Sequence, residues 1–220
     1  MLVYLGGELF LSLNDFLMKG GFLIKAIGFI VDKLLKAHSY YMTQRATKEI
    51  GGGNKVIQYP YQISGIHNIE CGDYVDIGKN AVIMTTRAKV IIKQHFVAGP
   101  RLTIITGDHL SEVGKFIDTV SDSDKDKSEK RVQLDQDVII DEDVWCGANV
   151  TILKGVHIGR GCIIAANACV NRSMPPYCIV AGIPAKPIRR KWDLSQILKH
   201  EEMMYSRDKR LSLNDLEYIP

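Results

Sequence analysis

The chain has 220 residues, 46% of them hydrophobic and 24% charged, which is typical of a globular protein with one moderate domain and room for a small appendage. Its 28 basic and 25 acidic residues give a formal net charge of +3, too small to indicate a nucleic-acid-binding protein. Five cysteines without a CxxC pair argue against a disulfide framework or a four-thiolate zinc site. The first residues lack an early Lys or Arg, and no stretch holds about 18 uninterrupted apolar residues, so we expect a cytoplasmic protein without a spanning helix.

Residues 1–50 are predicted to be helical, because apolar side chains recur at helical spacing opposite Lys25, Asp32, Lys33 and Lys36. The apolar positions are Phe22, Leu23, Ala26, Ile27, Ile30, Val31, Leu34 and Leu35. Such a helix most often packs its apolar stripe on the rest of the fold. Since its polar face is mostly basic, it also fits a helix that lies on a membrane surface.

After Gly51, Gly52 and Gly53 the apolar pattern changes to a period of six, which neither an α-helix nor a simple strand produces. Two rows follow this period in the second half of the chain: Val138, Val144, Val150, Val156, Cys162, Ala168 and Met174, and Ile140, Cys146, Ile152, Ile158, Ile164 and Val170. The same period begins at Ile63 and resumes from Val90, three residues out of phase, which predicts an outward bulge around 85–88. Repeated short strands and tight turns, three sides to a coil, predict a parallel β-helix that stacks Ile140 on Ile158 and Ile152 on Val170.

Residues 106–136 interrupt the repeat, and their charged middle, DTVSDSDKDKSEKR, is predicted to be a solvated loop that does not fold as a packed unit. Ile104 and Ile140 are separated by a whole number of hexads, so the repeat keeps its phase across the loop. Long loops in compact domains are often functional. A short helix is predicted after Asp193, and we divide the chain into a head (1–50), a coil (51–192) and a tail (193–220).

Residues 57–192 strongly resemble the hexapeptide-repeat acyltransferases, in particular their O-acetyltransferase branch of galactoside, maltose and capsular-polysaccharide acetyltransferases. The resemblance is carried by DVWCGANV, GVHIGRG and MPPYCIVAGIPAKPIRR in this order. It implies a left-handed β-helix, a homotrimer with active sites between subunits, and acetyl-CoA as co-substrate. Cys146 replaces a more usual isoleucine, and Asn171-Arg172 replaces a common Thr-Lys pair.

His109 is the best candidate for a general base among the six histidines, because an imidazole titrates near neutral pH. It follows the last strand of the first repeat block, and the resemblance implies a catalytic histidine at this junction. Its second ring nitrogen needs an acceptor, which Asp108, Glu112 or a backbone carbonyl would supply. The remaining histidines are interpreted as surface residues: His38, His67, His95, His157 and His200.

The resemblance also implies the groups that hold CoA. The backbone at three small residues would contact the pantetheine arm, namely Ala148, Ala165 and Ala166. A small polar contact and three cations would bind the phosphates: Asn171, Arg172, Lys186 and Arg189. Trp145 matches a tryptophan that lines the acceptor side of the cleft in this family.

These residues predict an acetyl-CoA-dependent O-acetyltransferase acting on a carbohydrate hydroxyl, with no covalent acyl-enzyme because the thioester is already activated. The acceptor would be a small sugar-like molecule or a glycan intermediate. Three alternatives stay open: an N-acetyltransferase on an amino sugar or other amine, a non-enzymatic β-helix scaffold, and a zinc hydratase. The last needs three converging histidines, and His67, His95 and His109 do not have the spacing that we expect for it, so no metal is predicted.

Overall fold

A computed structural model describes the backbone of residues 7–216 and the side chains of residues 24–216. The predictions for residues 1–6 and 217–220, and for the side chains of Phe22 and Leu23, lie outside this range. The chain forms two compact units, Met1–Met42 and Thr43–Pro220. None of the described helices combines the length and apolar character needed to span a bilayer.

The predicted N-terminal helix is confirmed as α1, Gly7–Glu49. Of the apolar stripe, Ile27, Ile30, Leu34 and Leu35 are all more than half exposed. The last turn behaves differently, because Ala46 belongs to the buried core of the second unit. The helix ends at the three glycines, which adopt positive φ angles of 103°, 63° and 73° that end a helix at little steric cost.

The predicted parallel β-helix is confirmed. Short strands wind in turn through three sheets with the orders β1-β4-β7-β10-β13-β15-β16, β14-β11-β8-β5-β2 and β12-β9-β6-β3. Their bounds are β1 Lys55–Ile57, β2 Tyr61–Ser64, β3 Ile69–Cys71, β4 Val75–Ile77, β5 Ala81–Met84, β6 Val90–Ile92, β7 Phe96–Ala98, β8 Thr103–Ile105, β9 Val138–Ile140, β10 Val144–Cys146, β11 Thr151–Leu153, β12 His157–Ile158, β13 Ile163–Ile164, β14 Cys169–Val170, β15 Cys178–Gly182 and β16 Ala185–Arg190. The strands pair in parallel except β15 with β16.

The two apolar rows form the centre of the coil. Ile140 pairs with Ile158 and Ile152 with Val170, as the period of six predicts, and all four side chains are fully buried. Glycines allow successive coils to approach at their corners. A Cβ on Gly147 would lie 2.7 Å from the backbone nitrogen of Ala166, so any larger residue there would push the coils apart.

The excursion at residues 106–136 folds more than its composition predicts. It contains the 3-10 turn Ile117–Thr119 and the helices α2, Asp122–Lys127, and α3, Arg131–Leu134. An antiparallel bridge between Gly107 and Asp135 closes its base. The middle of the excursion is largely exposed, as its composition predicts, but it is not an unpacked loop, because Lys125 is buried against Asp135, and a buried ion pair leaves no apolar signal in the composition.

The predicted C-terminal helix is α4, Leu194–Met204, which begins at a capping box formed by Asp193 and Gln196 and is followed by α5, Leu213–Leu216. A buried polar cluster attaches α4 to the last coil. The Arg160 guanidinium lies 2.9 Å from the Glu201 carboxylate, and the Tyr177 hydroxyl donates to the same carboxylate at 2.5 Å. Burial and this hydrogen bond raise the pKa of Tyr177 far above its ordinary value.

Candidate active site

His109 lies where β8 of the five-stranded sheet ends and the excursion begins. The chain passes from the buried Thr106 through Gly107 and Asp108, and the imidazole is exposed at a cavity of about 210 Å³. The charged side chains Arg87, Asp122, Lys125 and Asp135 line this cavity together with apolar ones from β5 and β8. An imidazole that is open both to solvent and to a polar cavity can exchange a proton with a molecule bound in that cavity.

Neither carboxylate that was predicted to orient His109 does so. Asp108 Oδ2 lies 3.1 Å from Nζ of Lys154, and Glu112 Oε2 lies 2.6 Å from Nζ of Lys115. Both carboxylates therefore form ion pairs with nearby lysines and not a hydrogen bond with the His109 ring. Among the described residues no side chain or backbone group hydrogen-bonds the His109 ring, so both ring nitrogens are available to a ligand.

Arg87 connects the coil to the excursion above the cavity. It belongs to the bulge predicted at 85–88, and its Nε donates to Asp126 Oδ1 of α2 at 3.0 Å. A second oxygen, Asp122 Oδ1, lies 3.5 Å from the guanidinium. The hydrogen bond to Asp126 raises the pKa of Arg87. This contact is not predicted from the sequence, where its only signal is a lone cation in the bulge and a separate acidic loop.

Lys125 and Asp135, which also line the cavity, form a buried ion pair. Their side chains are 7% and 10% exposed, and Nζ of Lys125 donates to Oδ1 of Asp135 at 2.6 Å. The same Nζ donates to the backbone carbonyl of Asp108 at 2.7 Å. Neither residue is predicted from the sequence, because both lie in a segment with many other charged residues.

The three alanines predicted to contact pantetheine lie at successive turns of one corner of the coil. Ala148 follows β10, while Ala165 and Ala166 follow β13 in the next coil. The side-chain amide of Asn149 donates to Oδ1 of Asn167 at 2.7 Å and joins the same two turns. The structure therefore brings these alanines together.

The predicted phosphate ligands occupy two places. Asn171 and Arg172 follow β14, so they lie on the His109 side of the coil, two coils further along. Lys186 and Arg189 are exposed on β16, which pairs with β15 at the end of the seven-stranded sheet. Within one chain the three cations are thus divided between two sheets.

Trp145 is 52% exposed in the middle of β10. Its strand belongs to the seven-stranded sheet, whereas His109 follows a strand of the five-stranded sheet, and Trp145 does not line the cavity. A single chain therefore does not bring the predicted base and the predicted site wall together. Among the side chains of residues 24–216, no three His, Cys, Asp or Glu residues form a group that would hold a metal ion.

Comparison with known proteins supplies relatives for this architecture. Residues 137–172 match the family described as bacterial transferase hexapeptide (six repeats). A protein of Escherichia coli K12, provisionally assigned as an O-acetyltransferase of lipopolysaccharide biosynthesis, is 32% identical over 123 residues, or 56% of this chain and 58% of that protein. A Staphylococcus aureus N-acetyltransferase that acts on 2,3,4,5-tetrahydropyridine-2,6-dicarboxylate is 45% identical over 62 residues, or 28% of this chain and 26% of that enzyme.

A solved structure is similar over a longer range. The hexapeptide-repeat acetyltransferase of Vibrio cholerae O1 biovar eltor, crystallised with acetyl coenzyme A, has a TM-score of 0.56 and 28% identity, covering 72% of this chain and 79% of that one. The chain spans less than two thirds of the length of its first curated relatives. It therefore carries the hexapeptide repeat of the bacterial transferases and is a relative of hexapeptide-repeat acetyltransferases.

Proposed function

We propose that this protein transfers an acetyl group from acetyl-CoA to a carbohydrate hydroxyl, with His109 as general base. The observation that carries the proposal is an exposed histidine with both ring nitrogens available, at a polar cavity where the coil meets the excursion. The similarity to an acetyltransferase crystallised with acetyl-CoA supports the choice of donor.

In the proposed reaction a nitrogen of His109 accepts the proton of the acceptor hydroxyl. At the same time the hydroxyl oxygen of the acceptor bonds to the thioester carbonyl carbon. The tetrahedral intermediate then expels the CoA thiolate, and the imidazolium returns the proton to sulfur. The products are an acetyl ester and free CoA thiol. No acyl-enzyme forms, because the thioester is already an activated donor and needs only a base and a bound acceptor.

The CoA site would use residues on several coils. Small side chains at Ala148, Ala165 and Ala166 leave the corner backbone open to a pantetheine arm. The phosphates would be held by polar and cationic side chains, namely Asn171, Arg172, Lys186 and Arg189. Trp145 would form a wall of the acceptor site.

A homotrimer with sites between subunits explains how these groups act together. His109 and Trp145 lie on different sides of one coil, so a cleft that contains both needs two chains side by side. We propose that the base comes from one subunit and the tryptophan from its neighbour. Mixing inactive His109→Asn and Trp145→Ala chains tests this, because some mixed trimers would regain one complete site, and a mixture without recovered activity contradicts the shared site.

Arg87, Asp122 and other hydrogen-bonding groups around the cavity suit a polyol acceptor, whether the group that reacts is a hydroxyl or an amine. The E. coli relative supports O-acetylation, and the Staphylococcus aureus relative keeps N-acetylation as the alternative. The test incubates the protein and acetyl-CoA with matched sugars and amino sugars, and measures the release of free thiol. Alkaline hydroxylamine then cleaves an ester product and leaves an amide intact. Failure to bind CoA in calorimetry would instead support a β-helix scaffold.

We also propose that the enzyme works in the cytoplasm at the membrane surface, on a membrane-proximal glycan intermediate. The exposed stripe of α1, with Ile30 and Leu34 at its centre, has a polar side with three lysines and one aspartate over residues 24–36. Flotation with anionic vesicles should recover the natural chain but not Ile30→Glu/Leu34→Glu. The control, Val113→Glu/Val132→Glu, changes exposed apolar residues of the excursion. Equal flotation of all three proteins contradicts the membrane proposal.

A further inference from the structure

We propose that Lys125 and Asp135 are positioning residues for His109, and that their buried ion pair fixes the peptide that carries the base. This inference rests on the proposed role of His109, because it concerns a group that acts through that residue. Neither residue is required by the repeat, and both lie inside the excursion.

Burial separates this pair from the other charges of the excursion. The Lys125 and Asp135 side chains are 7% and 10% exposed, whereas the partners of Arg87 on α2 are 46% and 79% exposed. The Nζ–Oδ1 distance of 2.6 Å is that of a strong charge-assisted hydrogen bond. The pair therefore holds α2 against the Gly107–Asp135 bridge, where the excursion leaves the coil and returns to it.

Lys125 also forms a hydrogen bond to the peptide that precedes His109. Nζ of Lys125 donates at 2.7 Å to the carbonyl of Asp108, which belongs to the peptide bond between Asp108 and His109. The backbone nitrogen of Asp108 donates to the Leu134 carbonyl at 2.9 Å, and its carboxylate pairs with Lys154. The residue that precedes His109 is thus held through its amide, its carbonyl and its side chain.

Gly107 leaves the space that this arrangement needs. A Cβ at position 107 would lie 2.3 Å from Oδ1 of Asp135, the oxygen that receives the Lys125 hydrogen bond. Any other residue would push the carboxylate away from the ammonium. The glycine, the ion pair and the Asp108 carbonyl therefore form one steric and electrostatic unit beside the base.

Stability alone does not account for the pair. A buried ion pair is usually no more stabilising than apolar side chains of similar volume, because both charges lose their hydration. Here Oδ2 of Asp135 is also buried without a hydrogen-bond partner among the described residues, which adds a desolvation penalty. Orientation of the His109 peptide gives the pair a purpose that an apolar replacement would not serve.

The decisive variant is Lys125→Met/Asp135→Leu, which removes both charges together and so leaves no unpaired charge in the interior. Met keeps the length of the Lys125 side chain and Leu keeps the branched shape of Asp135, although Leu is larger, while the hydrogen bond to the Asp108 carbonyl is lost. Since misplacement of a catalytic group by about 1 Å lowers rates by about 100-fold, we expect kcat to fall about 10- to 100-fold. The KM for acetyl-CoA and the melting temperature should stay close to those of the natural protein. Lys127→Met, an exposed lysine of the same helix, is the control and should keep full activity.

A readout without catalysis separates this inference from the proposed function. Hydrogen exchange of the amides at residues 106–110 should be faster in the double variant than in the natural protein or Lys127→Met. If the natural protein transfers no acetyl group, the proposed function is wrong. Hydrogen exchange still tests whether the Lys125–Asp135 pair fixes the peptide that precedes His109. Unchanged exchange and unchanged kcat in a folded double variant overturn the inference. If the double variant does not fold, Gly107→Ala decides in the same way, and natural kcat and exchange in that variant also overturn it.

Discussion

The coil and the excursion are stabilised in opposite ways. In the coil, rows of apolar side chains are buried one above another, and the strands of successive coils pair in three sheets. In the excursion most of the large apolar side chains are exposed, with Phe116 81% and Val132 79% exposed, Leu110 is the exception at 4%, and the buried charged side chains form an ion pair. The coil therefore provides the free energy of folding, whereas the excursion provides polar groups around a cavity.

This difference explains where chemistry can be added to a repeat. A residue inserted within a strand would turn the following side chains of that strand from the core to the surface, whereas residues added at a corner, as in the bulge at 85–88, leave the later strands buried. The excursion begins after β8 and returns in phase at β9, so its residues are free of that constraint. The fold of the excursion then depends on a few specific ion pairs, and these are compatible with a polar cavity next to them.

The largest expected effect comes from His109, the proposed base in the excursion. His109→Asn should lower kcat/KM for acetyl transfer by about 100- to 10,000-fold, because general base catalysis is lost while the fold is untouched. The measurement is thiol release from acetyl-CoA with the best acceptor. His67→Asn, an exposed histidine outside the cavity, should keep full activity, and equal rates for both variants would exclude His109 as the base.

A second effect should separate the regions by stability. Ile152→Ala removes a fully buried side chain of the coil and should lower the free energy of unfolding by about 2–5 kcal/mol. Val132→Ala truncates an exposed side chain of the excursion and should change it by less than about 0.5 kcal/mol. Denaturant unfolding at one fixed protein concentration measures both. Similar losses in the two variants would show that the excursion contributes to the folding core.

The third prediction concerns the end of the coil. Arg189→Met should raise the KM for acetyl-CoA by about tenfold, because one charge-assisted contact with a phosphate is lost, while kcat changes little. Steady-state kinetics with acetyl-CoA as the varied substrate measures the ratio. Lys199→Met removes an exposed cation from α4 and should leave KM unchanged. A fall in kcat at constant KM would place Arg189 in the chemical step instead.

The sequence predicted the coil well because its information is repeated. A period of six over many turns places the strands, the buried rows and even the pairing of Ile140 with Ile158. The interior of the excursion has no such repetition. Within SDSDKDKSEK nothing distinguishes the buried Lys125 from the exposed Lys127, since burial there depends on Asp135, which is brought close only by the fold.

A surface pair of the coil was missed for a different reason, since both of its residues lie in the repeat. His157 was correctly predicted to point outward, but its carboxylate partner was not identified. Nε2 of His157 lies 2.9 Å from Oδ2 of Asp141, which sits on the preceding coil just after β9. Comparison of adjacent coils in register would have found it. The site residues of the CoA groove remain proposals, since a single chain leaves its cations on two sheets.

The smallest expected effect is a dependence of coil stability on pH through this pair. The hydrogen bond to Asp141 raises the pKa of His157 above its ordinary 6.5, against partial desolvation. Burial acts to raise the pKa of Asp141, but hydrogen bonds with His157 and Lys93 outweigh it and lower the pKa below the ordinary 3.8. The charged pair is therefore complete between these ordinary values. Its contribution is lost as the pH rises through the raised pKa of His157, or falls through the lowered pKa of Asp141.

His157→Gln should consequently lower the melting temperature more at about pH 5.5 than at about pH 8.5, because only the protonated imidazole forms an ion pair. Both side chains are partly solvated, so solvent screens the interaction and the difference should be small. His67→Gln changes an exposed histidine that has no carboxylate partner within residues 24–216, and it should show the same small shift at both pH values. An equal loss at both pH values for His157→Gln would mean that the contact acts through packing and not through charge. The pH dependence of stability would then not arise from this pair. The rate of acetyl transfer measured as a function of pH would still test the proposed role of His109 in the excursion.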